Sequence, residues 1–199
     1  MVLQAVLLAF EAILAIVCLA LAFHAYPDTC RTILWQLGGT EGWNSDPHAR
    51  VYFYANYREP PPIPRIWSDE ITESHLGISA TSVVAWMIRV FLRCFQSNSR
   101  YSLVLFDAIL IALWAVSVYG QLSSDYSDPD HPSRWPWYVV HGCDKLESPE
   151  RGCCRLARAF LWGSGNLLIL YLGRFVWSMY KSCRSGGRGD ERGGITSRR

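Results

Sequence analysis

Apolar residues in this chain come in four long blocks, Val2–Phe23, Leu76–Phe95, Tyr101–Leu122 and Leu156–Tyr180. Each reaches the roughly 20 predominantly apolar residues that a helix needs to cross a bilayer. The stretches between them are polar, with Pro, Asp, Trp and Tyr in quantity. The pattern predicts an all-α membrane protein, a four-transmembrane-helix bundle. Its spans are expected at 1–25, 76–95, 101–122 and 156–180, with long loops at 26–75 and 123–155. The remainder, 181–199, is basic and glycine-rich, a composition that predicts disorder. Mean hydropathy of the whole chain is only +0.08, because the loops dilute the spans.

The first block has a second reading as a secretory signal peptide, and alanines at 20, 22 and 25 suit a cleavage site. Against it, Met1–Gln4 carries no lysine or arginine, the apolar run exceeds the usual h-region, and Glu11 lies inside it. A retained first helix is the expectation.

Charge orients the bundle, since Lys and Arg gather on cytoplasmic flanks and short loops. The turn Gln96–Arg100, flanked by Arg93, holds no acid, and the tail after Tyr180 holds six basic residues against two acidic ones. His24–His75 has four arginines and seven acids, and Ser123–Cys154 has three basic residues and six acids. Both termini and the short turn are therefore expected in the cytoplasm, with the two long loops outside or in a lumen, in a plasma membrane or endomembrane.

A charge inside hydrocarbon is costly unless it is paired or faces water. Asp107, Arg89 and Arg174 each stand six residues in from the cytoplasmic end of their helix, roughly 9 Å at the α-helical rise. The shared depth predicts an Arg89–Asp107–Arg174 cluster fixing the packing of the second, third and fourth spans; the competing reading lets both arginines snorkel to headgroups. Glu11 sits deeper, roughly 14 Å from the start of its helix, and reads first as a packing or assembly contact and second as a proton-relay residue. Asn166 is the other intramembrane polar residue, nearer the opposite end of its helix, so its pairing with Glu11 is left open. Gly163, Asn166, Leu170 and Arg174 share one face of the fourth helix, as do Ser82, Ala85 and Arg89 on the second. Alanines at 108, 112 and 115, and at 5, 9 and 12, form further stripes. Small and polar residues at this spacing let membrane helices approach, within one chain or in a homo- or hetero-oligomer.

The cysteines sort with the topology. Cys30, Cys143, Cys153 and Cys154 fall in the outer loops, where disulfides persist; Cys143 is expected to pair with Cys153 or Cys154, leaving Cys30 to take the other. A zinc site built from His141, Cys143, Cys153 and Cys154 is the rival, without the two well-spaced ligand pairs usual for structural zinc. Cys94 and Cys183 lie at cytoplasmic helix ends, positions suited to S-acylation, and Cys18 reads as inert packing. In the first loop Arg50–Tyr57 has the bias of a short strand or a membrane-surface segment, Pro60–Pro64 that of an extended polyproline run, and Trp67 that of an interfacial anchor. The loop reads as a cap on the bundle ahead of a recognition surface. In the second loop Trp135 and Trp137 are likewise expected at the interface. Asp125, Asp128 and Asp130 only superficially resemble a calcium loop, lacking its glycine and terminal glutamate.

No phosphate loop, H-E-x-x-H or G-x-S-x-G occurs, and the five histidines are scattered. No enzyme activity, cofactor, metal or nucleic-acid partner is expected; the expected partner is the lipid bilayer. The third span, FDAILIALWAVSVYGQ, and the run Trp137…Cys143…Cys153–Cys154 leading into RLARAFLWGSGNLLILYLGRFVW resemble the MARVEL-like four-span proteins of fungi. The resemblance covers the last half of the chain. It implies a non-enzymatic role in membrane organisation or trafficking and carries over no catalytic residue. An accessory subunit fits the same pattern, and a small transporter or channel component using the intramembrane charges is the alternative.

Overall fold

A computed structural model describes residues 2–95 and 100–193. Among these described residues seven α-helices follow one another: α1 Val2–Ala25, α2 Thr29–Thr40, α3 Ala49–Ala55, α4 Asp69–Cys94, α5 Arg100–Gln121, α6 Trp137–Val140 and α7 Glu150–Gly193. A short 3-10 turn, Arg65–Trp67, precedes α4. Among the described residues no strand forms, only an isolated antiparallel bridge between Asp125 and Ser133. Four helices, α1, α4, α5 and α7, are long and apolar enough to cross a membrane. The fold is the expected all-α four-helix membrane architecture.

Local chemistry moves two helix starts. α4 begins at Asp69, ahead of the apolar block at Leu76, because Ser68 caps it: its hydroxyl accepts from the Glu70 N–H, and Asp69 and Glu70 fill the positive first turn. α7 begins at Glu150, directly after Pro149, a residue that suits a helix start and cannot sit inside one. At its other end α7 continues to Gly193, so the disorder expected from 181 does not hold over 181–193. Extending an existing helix adds one hydrogen bond per residue fixed and needs no new nucleus. The connection at 96–99 and residues 194–199, with Arg198 and Arg199, lie outside the described residues.

The spanning helices form a ring in the order α1, α4, α5, α7, each packed on two neighbours. Their inner faces follow helical steps: Glu11, Ala15, Cys18 and Ala22 on α1; Ile78, Ser82, Ala85 and Arg89 on α4; Asp107, Leu110, Trp114, Ser117 and Gln121 on α5; Phe160, Ser164, Leu167 and Tyr171 on α7. Hydrogen bonds cross the interior between helices: Trp114 Nε1 donates to Ser82 Oγ at 2.9 Å, and Gln121 Nε2 to Ser164 Oγ at 3.0 Å.

The two long loops fold together over one end of this ring. Leu34, Trp35, Ile66, Trp67, Trp137 and Tyr138 make a second apolar core with four cysteines. The Arg50–Tyr57 stretch, with the bias of a strand or surface segment, contains a helix, α3, with no buried side chain. Trp67 and Trp137 do not rest at the lipid interface: both are buried in the cap, Trp67 stacked at 6.4 Å on Trp35 and Trp137 donating to the Leu34 carbonyl at 2.9 Å. The indole N–H groups find partners only because the loops close on each other.

Candidate functional site

Each spanning helix sends one charged side chain to a common point near the ends of α4 and α7 that carry Cys94 and Cys183. Arg89 Nη2 lies 2.7 Å from Asp107 Oδ1, and Arg89 Nη1 lies 3.4 Å from Glu11 Oε1. Arg174 Nη1 contacts Glu11 Oε2, and its Nε lies 3.8 Å from Asp107 Oδ1. Each acid thus meets both arginines, in an alternating ring with two formal positive and two formal negative charges. The expected triad forms, and Glu11, expected deeper and apart, is its fourth member. Glu11 is 0% exposed, Arg89 1% and Asp107 2%; Arg174 alone is partly open, its side chain at 16%.

The Arg89 contacts are ion pairs more than aligned hydrogen bonds, since none of its nitrogens meets hydrogen-bond geometry. Its guanidinium also lies 5.4 Å over the ring of Tyr171, a favourable arrangement for a desolvated cation. Burying one charge without a partner costs several kcal/mol, so only the complete set makes the burial tolerable. Chemically the ring offers little: arginine does not give up its proton, and each carboxylate is held between two cations. Among the described residues no group of His, Cys, Asp and Glu is arranged to hold a metal.

Asn166 takes no part. It is exposed on the outside of α7, and its Nδ2 donates to its own helix at Trp162 O, 2.8 Å away. The interior face of α7 runs through Leu167, one position and about 100° of helix rotation from the face carrying Asn166. The alanine stripes are turned the same way: Ala5, Ala9, Ala112 and Ala115 are exposed, away from the neighbours they were expected to meet. On α4 the expected face, Ser82, Ala85 and Arg89, is buried.

The cap carries a polar centre that sequence reasoning missed. Asp125 is 2% exposed, yet among the described residues it forms no ion pair. Its Oδ2 accepts from Ser45 N at 3.2 Å, Ser45 Oγ at 2.6 Å and Trp67 Nε1 at 2.9 Å, and its Oδ1 from Ser127 N and Oγ at 3.2 and 2.8 Å. The carboxylate is solvated by donors from both outer loops, so it joins them. Its backbone exchanges two hydrogen bonds with Ser133, at 2.8 and 2.7 Å. Nothing in SSDYSDPD marked Asp125 apart from Asp128 and Asp130; its donors lie 80 and 58 positions away.

Two disulfides finish the cap. Cys30 pairs with Cys153 and Cys143 with Cys154, which settles the open choice and leaves no cysteine there for zinc. Cys30 follows α1 closely and Cys153 lies in the first turn of α7, so the first bond ties those two helices above the bundle. Cys18 is buried, while Cys94 and Cys183 are free and exposed.

A cavity of about 40 Å³ separates cap from bundle, bounded by Ala22, Arg31, His75, Gln121, Tyr138 and Phe160 among others. That volume suits a few waters, not a drug-sized ligand. Beside it Arg31 binds Thr72 at 3.2 Å and the Ile66 carbonyl, and pairs with Asp28 at 3.4 Å. Burial raises the Asp28 carboxyl above its ordinary 3.8, against the pull of Thr72 and Arg31. Burial likewise raises the Tyr138 phenol above 10.0. Comparison of the chain with protein-family models, with curated proteins and with solved structures finds no match.

Proposed function

We propose that this chain is a non-enzymatic integral membrane protein that organises membrane or serves as an accessory subunit, with both termini in the cytoplasm and the cap on the opposite side. One observation carries the reading: the buried charges come one from each spanning helix and cancel among themselves. That is how a bundle is locked, whereas a permeation path keeps charges open to water or to a substrate. The MARVEL-like pattern of the third and fourth spans supports the same role. Cys94 and Cys183, exposed near one end of the bundle, serve in this reading as acylation points, and the outward alanines as contacts to other subunits.

The alternative is a small transporter or channel component using the same four charges, and the slight opening at Arg174 is what favours it. Reconstitution into sealed vesicles separates the two. Under the proposed role, proton or ion flux stays at the level of empty vesicles, and maleimide added from the cap side leaves Cys94 and Cys183 unlabelled. Flux that disappears in a folded Glu11→Gln variant would overturn the proposal in favour of transport.

A further inference from the structure

The cap buries Trp35, Trp67, Trp137 and Tyr138 but leaves large side chains exposed on one arm, as it does Tyr126, Trp135 and Val140 on the second loop. α3 and the residues after it present Val51, Tyr52, Tyr54 and Tyr57 to the outside, at 67, 72, 66 and 101% exposure. The left-handed backbone at Tyr57, φ 54°, is a conformation L-residues rarely adopt; it turns the chain so that Arg50 Nη1 reaches back to donate to the Pro61 carbonyl at 2.6 Å. The arm is therefore a closed, shaped feature. A contiguous exposed patch of this kind marks a contact surface.

Its position says which one. α4 and α5 run antiparallel, Arg89 meeting Asp107 and Ser82 meeting Trp114. On that register the first turns of α4 rise beyond the end of α5. The chain just before α4 nevertheless returns to α5, where the Arg65 guanidinium sits 5.9 Å over the ring of Tyr119. Tyr119 is exposed and lies two residues before the end of an apolar span, at the level where lipid headgroups begin. Arg65 stands only four positions along the chain, roughly 12 Å at the polyproline rise, from the Pro61 that Arg50 holds. The aromatic arm is thus continuous with the lipid-facing belt. It carries the residues such a level favours: tyrosines with an apolar body and a polar tip, and an exposed Arg58 to meet phosphate.

We propose that the α3 arm lies on the membrane leaflet adjoining the cap, with Tyr52, Tyr54 and Tyr57 among the headgroups and Arg58 paired with lipid phosphate. The arm is a lipid-reading surface outside the bundle, and it goes beyond the organising role assigned to the spans. Hydroxyl-radical footprinting of the full chain in vesicles of phosphatidylcholine and phosphatidylglycerol tests it. Tyr126, 63% exposed on the second loop, is the internal standard. The three arm tyrosines should oxidise several-fold more slowly than Tyr126, independently of the protein-to-lipid ratio, and Arg58→Glu should bring their rates towards that of Tyr126. Equal rates in the unmodified chain would overturn the proposal. So would protection that fades as protein is diluted in lipid, which marks a second copy as the occupant.

Discussion

Replacing Arg89 with methionine removes the centre of the charge ring while keeping most of the side-chain volume. Arg89 is the closest partner of Asp107, at 2.7 Å, and the second partner of Glu11, at 3.4 Å. Without it two buried carboxylates share Arg174, whose Nε is 3.8 Å from Asp107. Removing one member of a buried ion pair costs about 3–5 kcal/mol, because the other is left uncompensated. Arg89→Met should lose that amount, and Asp107→Leu a similar one. The double variant leaves Glu11 with Arg174, a neutral pair, in an otherwise apolar interior. Replacing both members of a buried pair by apolar groups is often neutral, so the double variant should lie within about 1 kcal/mol of the parent chain. The coupling between positions 89 and 107 is then about 5 kcal/mol or more, beyond the roughly 0.5–3 kcal/mol that neighbouring residues usually show. Equilibrium unfolding in mixed micelles, followed by tryptophan fluorescence, measures all four corners of the cycle. Arg89→Met with Arg174→Met, which leaves two acids and no base, should be the least stable combination. An 89/107 double variant that costs the sum of its singles, or two single variants that each cost less than about 1 kcal/mol, would refute a buried, mutually compensating pair.

Other consequences are more local. Asp125→Ala strands five donor contacts in the cap and should cost at least about 3 kcal/mol, given roughly 1.5–3 for a hydrogen bond to a charged group; freeing the Trp67 indole should also shift the emission spectrum. Gly38→Ala would put a Cβ 1.6 Å from Asn44 Oδ1, and Gly163→Ala would put one 2.7 Å from Cys18 Sγ; thermal unfolding should show each losing about 1–3 kcal/mol or more by overpacking, with Cys18→Ala relieving the second. Non-reducing peptide mapping should find Cys30 with Cys153 and Cys143 with Cys154. Loops of 123 and 11 residues imply about 5 and 3 kcal/mol by chain entropy, so losing the first bond should lower stability more. Tyr138 has a folded-state pKa above its ordinary 10.0, so its contribution is full below pH 10 and is lost as pH rises beyond it. A pH series of unfolding midpoints should therefore decline more steeply above pH 10 than in Tyr138→Phe.

Equal depth was legible because helical rise is fixed, and three charges six residues from their helix ends converge for that reason. Glu11 was not placed with them, since counting from the start of α1 assumes where that helix enters the membrane, and sequence does not set this. The arginine side chains span the few ångströms of mismatch. The rotation of α7 was ambiguous for a different reason. Gly163, Asn166, Leu170 and Arg174 make one helical ladder and Phe160, Ser164 and Leu167 another, a single position apart; Gly163 abuts Cys18 and Arg174 joins the charge ring, but small-residue spacing placed Asn166 inside in error. The same error turned Ala112 inward where Leu110 and Trp114 belong. In lipid an apolar side chain fits equally well inside or outside the bundle, so periodicity loses the discriminating power it has in water. The cap was illegible beyond its cysteines, because Asp125 and Trp67 are joined by chain closure over 58 positions, a contact without local signature.

That equivalence of inside and outside explains why this bundle carries fastenings of two unlike kinds. Between the charge ring and the cap, α1 buries the small side chains of Ala15, Cys18 and Ala22, with Leu14 and Leu21 packed partly buried beside them, and no apolar driving force separates bundle from lipid there. α1 is instead held below by Glu11, which meets Arg89 and Arg174, and above by Cys30, bonded to Cys153 of α7. Rocking one half of the bundle against the other would have to break an ion pair in low dielectric at one level and strain a covalent bond at the other. With α1 held near its middle by Glu11 and just beyond its end through Cys30, such rocking is opposed at two levels. Reducing the Cys30–Cys153 bond should leave the bundle intact while Glu11 keeps its partners. Reduction combined with Glu11→Leu should release α1, seen as hydrogen exchange rising along α1 and not along α4, α5 or α7.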